Sequence, residues 1–393
     1  MRTNITRGLG GCAALAIAIA ALSRGGEGAD AISSASASSS AHTAETAMTA
    51  AAWPIERNSI ELIRCSIDDL PLWIFGMMEP ESGPYPLTPF SINEFGVVAI
   101  AIAVPEQATG EDWYFVARWQ DGRFDFIDTS LLGRMRVFLH MSINNLGDVL
   151  FLNYPLTEIS SYLSMHTGEL IELPDSYMGH SVAMSDVSDD LWMVAEGDTY
   201  NPKFGFVDVM PGGVGGIARM NADSLGLGTT STSPDHPLLW DPINRERVLK
   251  GLLPDGAEGG VALNDHGDIL LVSEDWNYFL STVDQNGVYE SPQLLFRSDE
   301  VGGGFAMANG PWITTQRRAM PPTPLLWTPE TGTIELQRLL PGAAQDLELW
   351  RPLDMNNRGQ MVGWANWSEP PNEVSGGYFI TVRTLPHRAE AVR

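Results

Sequence analysis

The chain has 393 residues, 44% of them hydrophobic and 18% charged, a balance that belongs to a folded globular protein and excludes a disordered one. Acids outnumber bases 49 to 23, for a net charge of −26; such a surface repels phosphate backbones and argues against nucleic acid as a partner. Two cysteines, Cys12 and Cys65, supply no disulfide framework if the first leaves with an export signal, and a large β-rich core does without one.

The N-terminus reads as that signal. Arg2 and Arg7 make a basic start, and Ala13 to Leu22 form an apolar run too short to span a bilayer. Ala29-Asp30-Ala31 offers a cleavage site, so residues 1–31 are expected to be a signal peptide; the alternative is an anchor that stays uncleaved. Cys12 precedes the apolar run instead of following it, which argues against a lipoprotein. Residues 32–56 are mostly Ala, Ser and Thr, too poor in large side chains to offset ordering entropy, and are expected to be a flexible spacer. No later stretch is apolar for long enough to cross a membrane. The mature chain is therefore expected to be secreted, to the bacterial exterior or periplasm, as a monomer. Cys65 lies in the alternating run Ile63-Arg64-Cys65-Ser66-Ile67 and reads as a buried structural residue.

From residue 57 onward one phrase recurs: an apolar strand, an Asn-x-x-Gly turn and a second strand. It is best preserved at Leu353-Asp354-Met355-Asn356-Asn357-Arg358-Gly359-Gln360-Met361-Val362-Gly363. Clear copies carry Asn93, Asn144 and Asn264, and degenerate copies are expected around Asp186, Asn221 and Asn309. With those residues as markers the steps are 51, 42, 35, 43, 45 and 47 residues. The residue types follow from turn chemistry. A short hairpin loop ends in a left-handed residue, which Gly adopts without penalty, and the Asn side chain hydrogen-bonds the backbone two residues on.

A second hairpin phrase follows most markers. Pro324-Leu325-Leu326-Trp327-Thr328-Pro329-Glu330-Thr331-Gly332 shows it, with parallels at Phe115–Gly122, Tyr162–Gly168, His236–Asp241 and Tyr278–Ser281. Two hairpins per period make four strands, one propeller blade. The expected fold is all-β: a single β-propeller over residues 57–393, with seven four-stranded blades, or six if one degenerate copy is no blade. The last copy supplies three strands, and Ser59–Cys65 is a strand without a neighbour in sequence. Pairing the two completes the seventh blade and hides both sheet edges. Asp68–Pro89 would then be a Pro-rich connection to blade one.

Together, the Asn-x-x-Gly phrase at Met355–Gly363 and the phrase His236-Pro237-Leu238-Leu239-Trp240 resemble the bacterial extracellular HAF-repeat family, over roughly residues 90–382. The resemblance implies a secreted propeller and no shared reaction.

Signatures of catalysis are weak. Gly179-His180-Ser181-Val182-Ala183 imitates a nucleophile elbow without the helix that should follow. Asp265-His266-Gly267-Asp268 lacks the oxygen ligands a calcium loop needs, and Pro211–Gly216 has neither the Lys nor the helix of a phosphate cradle. No cofactor and no metal are implied. The better constellation lies between the two hairpins of a blade, where aromatic residues stand beside carboxylates: Glu111, Asp112 and Trp113; Glu196, Asp198 and Tyr200; Glu274, Asp275 and Trp276; Trp364 and Trp367. Aromatic platforms flanked by acids suit sugars. The expected function is a non-catalytic extracellular binding module for a glycan or protein ligand. The alternative is a carbohydrate-active hydrolase or lyase using loop carboxylates on one propeller face.

Overall fold

The chain divides into Met1–Trp53 and Pro54–Arg393. The computed structural model describes residues 58–382, except residues 82–83, 134, 136–137, 154–159, 178–179, 182–183, 196–197, 208–214, 231–235, 243–244, 249–256, 286, 319–321, 341–346 and 370–371. The expected signal peptide and spacer lie outside the described residues.

Seven four-stranded antiparallel sheets follow one another along the chain as the blades of a β-propeller. Blade one is Leu87–Ile92, Val98–Pro105, Asp112–Gln120 and Arg123–Phe126. The inner strands of blades two to seven are Phe138–Ile143, Met184–Val187, Gly215–Met220, Ala257–Leu263, Ala306–Ala308 and Glu348–Met355. Blade seven continues through Gln360–Glu369 and Asn372–Thr381, and its fourth strand is the N-terminal Ser59–Ile63, paired from Ser59 with Thr381 to Ile63 with Gly377. The ring is thus closed by the two ends of the chain, and the degenerate copies are all true blades. The connection to blade one is more ordered than its prolines suggest. It holds the helical turns Ile67–Asp69 and Leu72–Met77, and Cys65–Ser66 pairs with Pro84–Tyr85. No helix among the described residues is long and apolar enough to cross a membrane.

Period-two alternation builds the core between blades. In Val98–Pro105, Val98, Ile100, Ile102 and Val104 pack with Val362 of blade seven, while Ala99 and Ala101 face Met141, Val149 and Phe151 of blade two. A strand buried on both faces can carry nothing polar, and each large side chain so buried contributes about 1.5–3 kcal/mol. Cys65 belongs to the same core; burial and the nearby Asp69 carboxylate push its thiol up to about 12, far from a reactive thiolate.

The marker turns behave as their chemistry requires, with two corrections of phase. Each marker's N–H bonds the carbonyl four residues on, and Gly96, Gly147, Gly267 and Gly359 take positive φ. In blade three these bonds run from Ser188 to Trp192, and Leu191 takes the glycine position at φ 62°. The marker there is Ser188, not Asp186. In blade six Ala308 pairs with Trp312, so the marker position is Ala308 and Asn309 is the residue after it.

The markers also fasten neighbouring blades. Asn93 Nδ2 donates to the Asn144 carbonyl at 3.0 Å, Asn144 to Ser188 at 3.1 Å, Asn221 to Asn264 at 3.0 Å, Asn264 to Ala308 at 3.1 Å and Asn356 to Asn93 at 2.8 Å. A second ring lies one residue further on. The amides of Glu94, Asn145, Ala222, Asn309 and Asn357 donate to the side chains of Asn145, Asp189, Asp265, Asn357 and Glu94 respectively. The turn residue that defines the repeat is therefore also the hinge pin between repeats.

Candidate functional site: an axial cavity

Inner strands of a propeller line its axis, and here they are kinked where they do so. The inner-strand ladder shifts register in blades one, two, three, four, five and seven: between Pro89 and Ser91, Phe138 and Met141, Ser185 and Val187, Ile217 and Arg219, Gly260 and Ala262, and Pro352 and Asp354. A bulge re-aims the side chains beside it. With the corrected phase, the residues two before the markers form one column: Ser91, Ser142, Asp186, Arg219, Ala262, Ala306 and Asp354. All seven line a single cavity of about 210 Å³, together with His140.

The column is divided by chemistry. Blades seven, one, two, three and four contribute Asp354, Ser91, Ser142 with His140, Asp186 and Arg219 as a continuous polar arc. Blades five and six contribute Ala262 and Ala306, flanked by Leu263, Phe305 and Met307. At this register position the cavity carries hydrogen-bonding groups on five blades and methyl groups on two; Asn264 and Asp265 of blade five, and Met141, Met220 and Met355 on the other blades, also line it.

Its two carboxylates sit in opposite environments. Asp186 has His140 Nε2 at 3.4 Å from Oδ1, Arg219 Nη1 at 3.8 Å from Oδ2, and accepts a bond from the Met220 amide at 3.3 Å. Burial pushes its pKa up, but the His140 contact, the Arg219 charge and the Met220 amide outweigh that and hold it below the ordinary value. Asp354 Oδ2 accepts from Ser91 Oγ at 2.7 Å and the Ile92 amide at 2.9 Å, and Oδ1 accepts from the Met355 amide at 2.9 Å. With no cation among the described residues against it, burial dominates, Asp186 adds like-charge repulsion, and its pKa is pushed up to about 6. The side chains of His140, Asp186 and Arg219 are 29%, 15% and 38% exposed, so solvent and ligands reach them.

The residues expected from sequence lie elsewhere. Marker turns join the first and second strands of a blade, so the connections between second and third strands emerge at the opposite end. Glu111 precedes the third strand of blade one and Asp112 and Trp113 open it, with Trp113 half-buried against the blade core. Asp198 opens the third strand of blade three, and Tyr200 packs on Phe206 with ring centroids 4.8 Å apart; Glu196 lies outside the described residues. Glu274, Asp275 and Trp276 form an exposed turn in blade five, with Trp276 62% exposed at φ 60°. Trp364 is exposed on the second strand of blade seven. Trp367 lies further along that strand, its side chain outside the described residues. The cross-strand partner of Trp364 is Arg351, on the inner strand that carries Asp354. None lines the cavity.

Of the cavity residues, Asp186 and Asp354 belong to the repeated phrase in the sequence, where they read as parts of a turn and a strand. The signal that could have found them is the column itself. Aligning blade three on Ser188 and blade six on Ala308 puts Ser, Ser, Asp, Arg, Ala, Ala and Asp at a position where a half-buried strand needs no charge.

Fold and cavity define a seven-bladed β-propeller with a polar axial site. No protein-family model and no curated protein matches the chain. Solved structures similar to it are propeller proteins of mixed function. A catalytically inactive virginiamycin B lyase from Staphylococcus aureus, with quinupristin, is 9% identical over 83% of this chain and 99% of its own, with a TM-score of 0.47. TolB from Acinetobacter baumannii is 14% identical over 64% and 54%, TM-score 0.35. A gluconolactonase from Xanthomonas campestris is 11% identical over 77% and 98%, TM-score 0.32. At these identities the likeness is one of fold alone.

Proposed function

We propose that this protein is an extracellular binding module whose site is the axial cavity, and that its ligand is a small hydroxyl-rich molecule such as the terminal unit of a glycan. The observation that carries this reading is the division of one register column into a polar arc of five blades and an apolar arc of two. A sugar ring has the same division: hydroxyls at its rim find donors and acceptors in Ser91, His140, Asp186, Arg219 and Asp354, and its C–H face finds the Ala262–Phe305 side. The expected export signal and the HAF-repeat resemblance fit a ligand met outside the cell. The exposed Trp276 turn is a candidate second platform for a longer chain.

A second reading is a carbohydrate-active hydrolase or lyase. It is favoured by one observation, the two cavity carboxylates pushed in opposite directions, which is the condition for one to act as acid while the other stays ionised. A glycan array combined with a turnover screen on purified residues 53–393 tests both. Binding without product supports the module, and product formation that Asp354→Asn abolishes supports the enzyme. Neither binding nor turnover overturns both.

A further inference from the structure

We infer that the ligand of the axial cavity carries a carboxylate, seated between Arg219 and Arg351, so that the site suits an acidic sugar of the uronate class. This rests on the cavity being the binding site.

The inference starts from Arg351. Its strand, Glu348–Met355, shifts register between Pro352 and Asp354. Side chains alternate along a strand, and one extra residue inverts that alternation, so Arg351 and Asp354 share a face although they are three apart. The Arg351 guanidinium lies against blade six at Gly304. A Cβ there would stand 3.1 Å from Arg351 Nε, and Gly304 is held at φ +72°. Glycine at that position leaves room for the guanidinium to approach.

Charge makes the arrangement unusual. Arg219 projects from blade four, across the ring from blade seven. Burial, with the Arg219 charge after it, pushes the Arg351 guanidinium's pKa down. Arg219 has the 3.8 Å approach to Asp186, whereas Arg351 makes no hydrogen bond or ion pair with any described residue. In a chain with 49 acidic residues and 23 basic ones, acids are plentiful, yet none of the described ones neutralises this guanidinium. Arg351 is exposed and does not itself line the cavity; it stands at the cavity's edge beside Gly304, whose neighbour Phe305 lines it. An unpaired guanidinium there, with that of Arg219 in the cavity wall, favours an anion between them, and a planar carboxylate matches the guanidinium fork. The rest of the site says what bears the carboxylate. Trp364, which lies outside the cavity lining, opposite Arg351 on the neighbouring strand and 43% exposed, offers a ring face to a ligand that extends past the cavity edge. Asp354 and Asp186 offer acceptors for hydroxyls.

The test is calorimetric titration of the purified chain with galacturonate and glucuronate, each against its neutral counterpart, galactose or glucose, as monomers and short oligomers. The uronates are expected to bind about tenfold or more tightly than the neutral sugars. That preference should shrink between about 0.05 M and about 0.5 M NaCl. Arg351→Gln should reduce uronate affinity to the neutral level without changing the melting temperature, and Arg351→Lys should restore part of it. Equal affinity for the neutral sugars, or an Arg351→Gln variant that keeps the preference, overturns the inference and leaves the glycan-binding reading standing. Binding of neither class overturns both.

Discussion

Asn356 does four things with one amide. Its Nδ2 donates to the Asn93 carbonyl and to Gln360 Oε1, and its Oδ1 accepts from the amides of Arg358 and Gln360. It is 2% exposed. Removing it leaves the Asn93 carbonyl and two amides without that partner, so Asn356→Ala should destabilise the fold by on the order of 3 kcal/mol in denaturant unfolding. The sequence makes the turn half of this legible, because a left-handed glycine three residues after an Asn is a local rule. The inter-blade half is not legible, since its acceptor lies 263 residues away. Asp354 is the converse case, a residue that reads as part of a strand and proves to be a cavity wall. A carboxyl that holds its proton more tightly when folded stabilises the fold while protonated. The contribution is full below its ordinary value of 3.8 and is lost as pH rises through about 6. Melting temperature followed against pH should therefore contain a decline between about pH 4 and about pH 6 that Asp354→Asn lacks. Asp186, which faces Asp354, works with the opposite sign: its contribution is present above the ordinary carboxylate range and lost on acidification.

Among the elements, the strand Ser59–Ile63 carries closure. It covers the open edge of Asn372–Thr381 through five paired positions. A chain shortened to begin at residue 67 should expose that edge, and light scattering should show it associating or aggregating where the longer chain stays monomeric. Closure was readable from sequence because three C-terminal strands and one orphan add up to a blade. Blade three was harder to read. Ser188 replaces Asn and Leu191 replaces Gly, and the bulge at Asp186 lends a carboxylate near the expected marker position. Misplacing that marker by two residues hid Asp186 among turn residues, and with it the column that lines the axis.

For the whole molecule, fold and site differed in how far sequence could show them. Repeats, strands and ring closure depend on local periodicity and on sheet edges, both of which sequence displays. The cavity depends on seven strands, hundreds of residues apart, turning the same register position toward one axis, which only closure brings about. The aromatic and acidic connections drew attention because their residues are adjacent in sequence, whereas the cavity residues come together only in space. Titration of wild-type protein, Ala306→Leu and Trp276→Ala with the best ligand from the array separates the two locations. Ala306 lines the apolar arc and is buried, so Leu there fills the cavity without removing any polar group, while Trp276 lies on a second-to-third-strand turn. Placement of the site on the axis predicts that Ala306→Leu weakens binding about tenfold or more and that Trp276→Ala leaves the affinity of a monosaccharide ligand unchanged. Full affinity in Ala306→Leu together with loss in Trp276→Ala would contradict it and return the site to the connections.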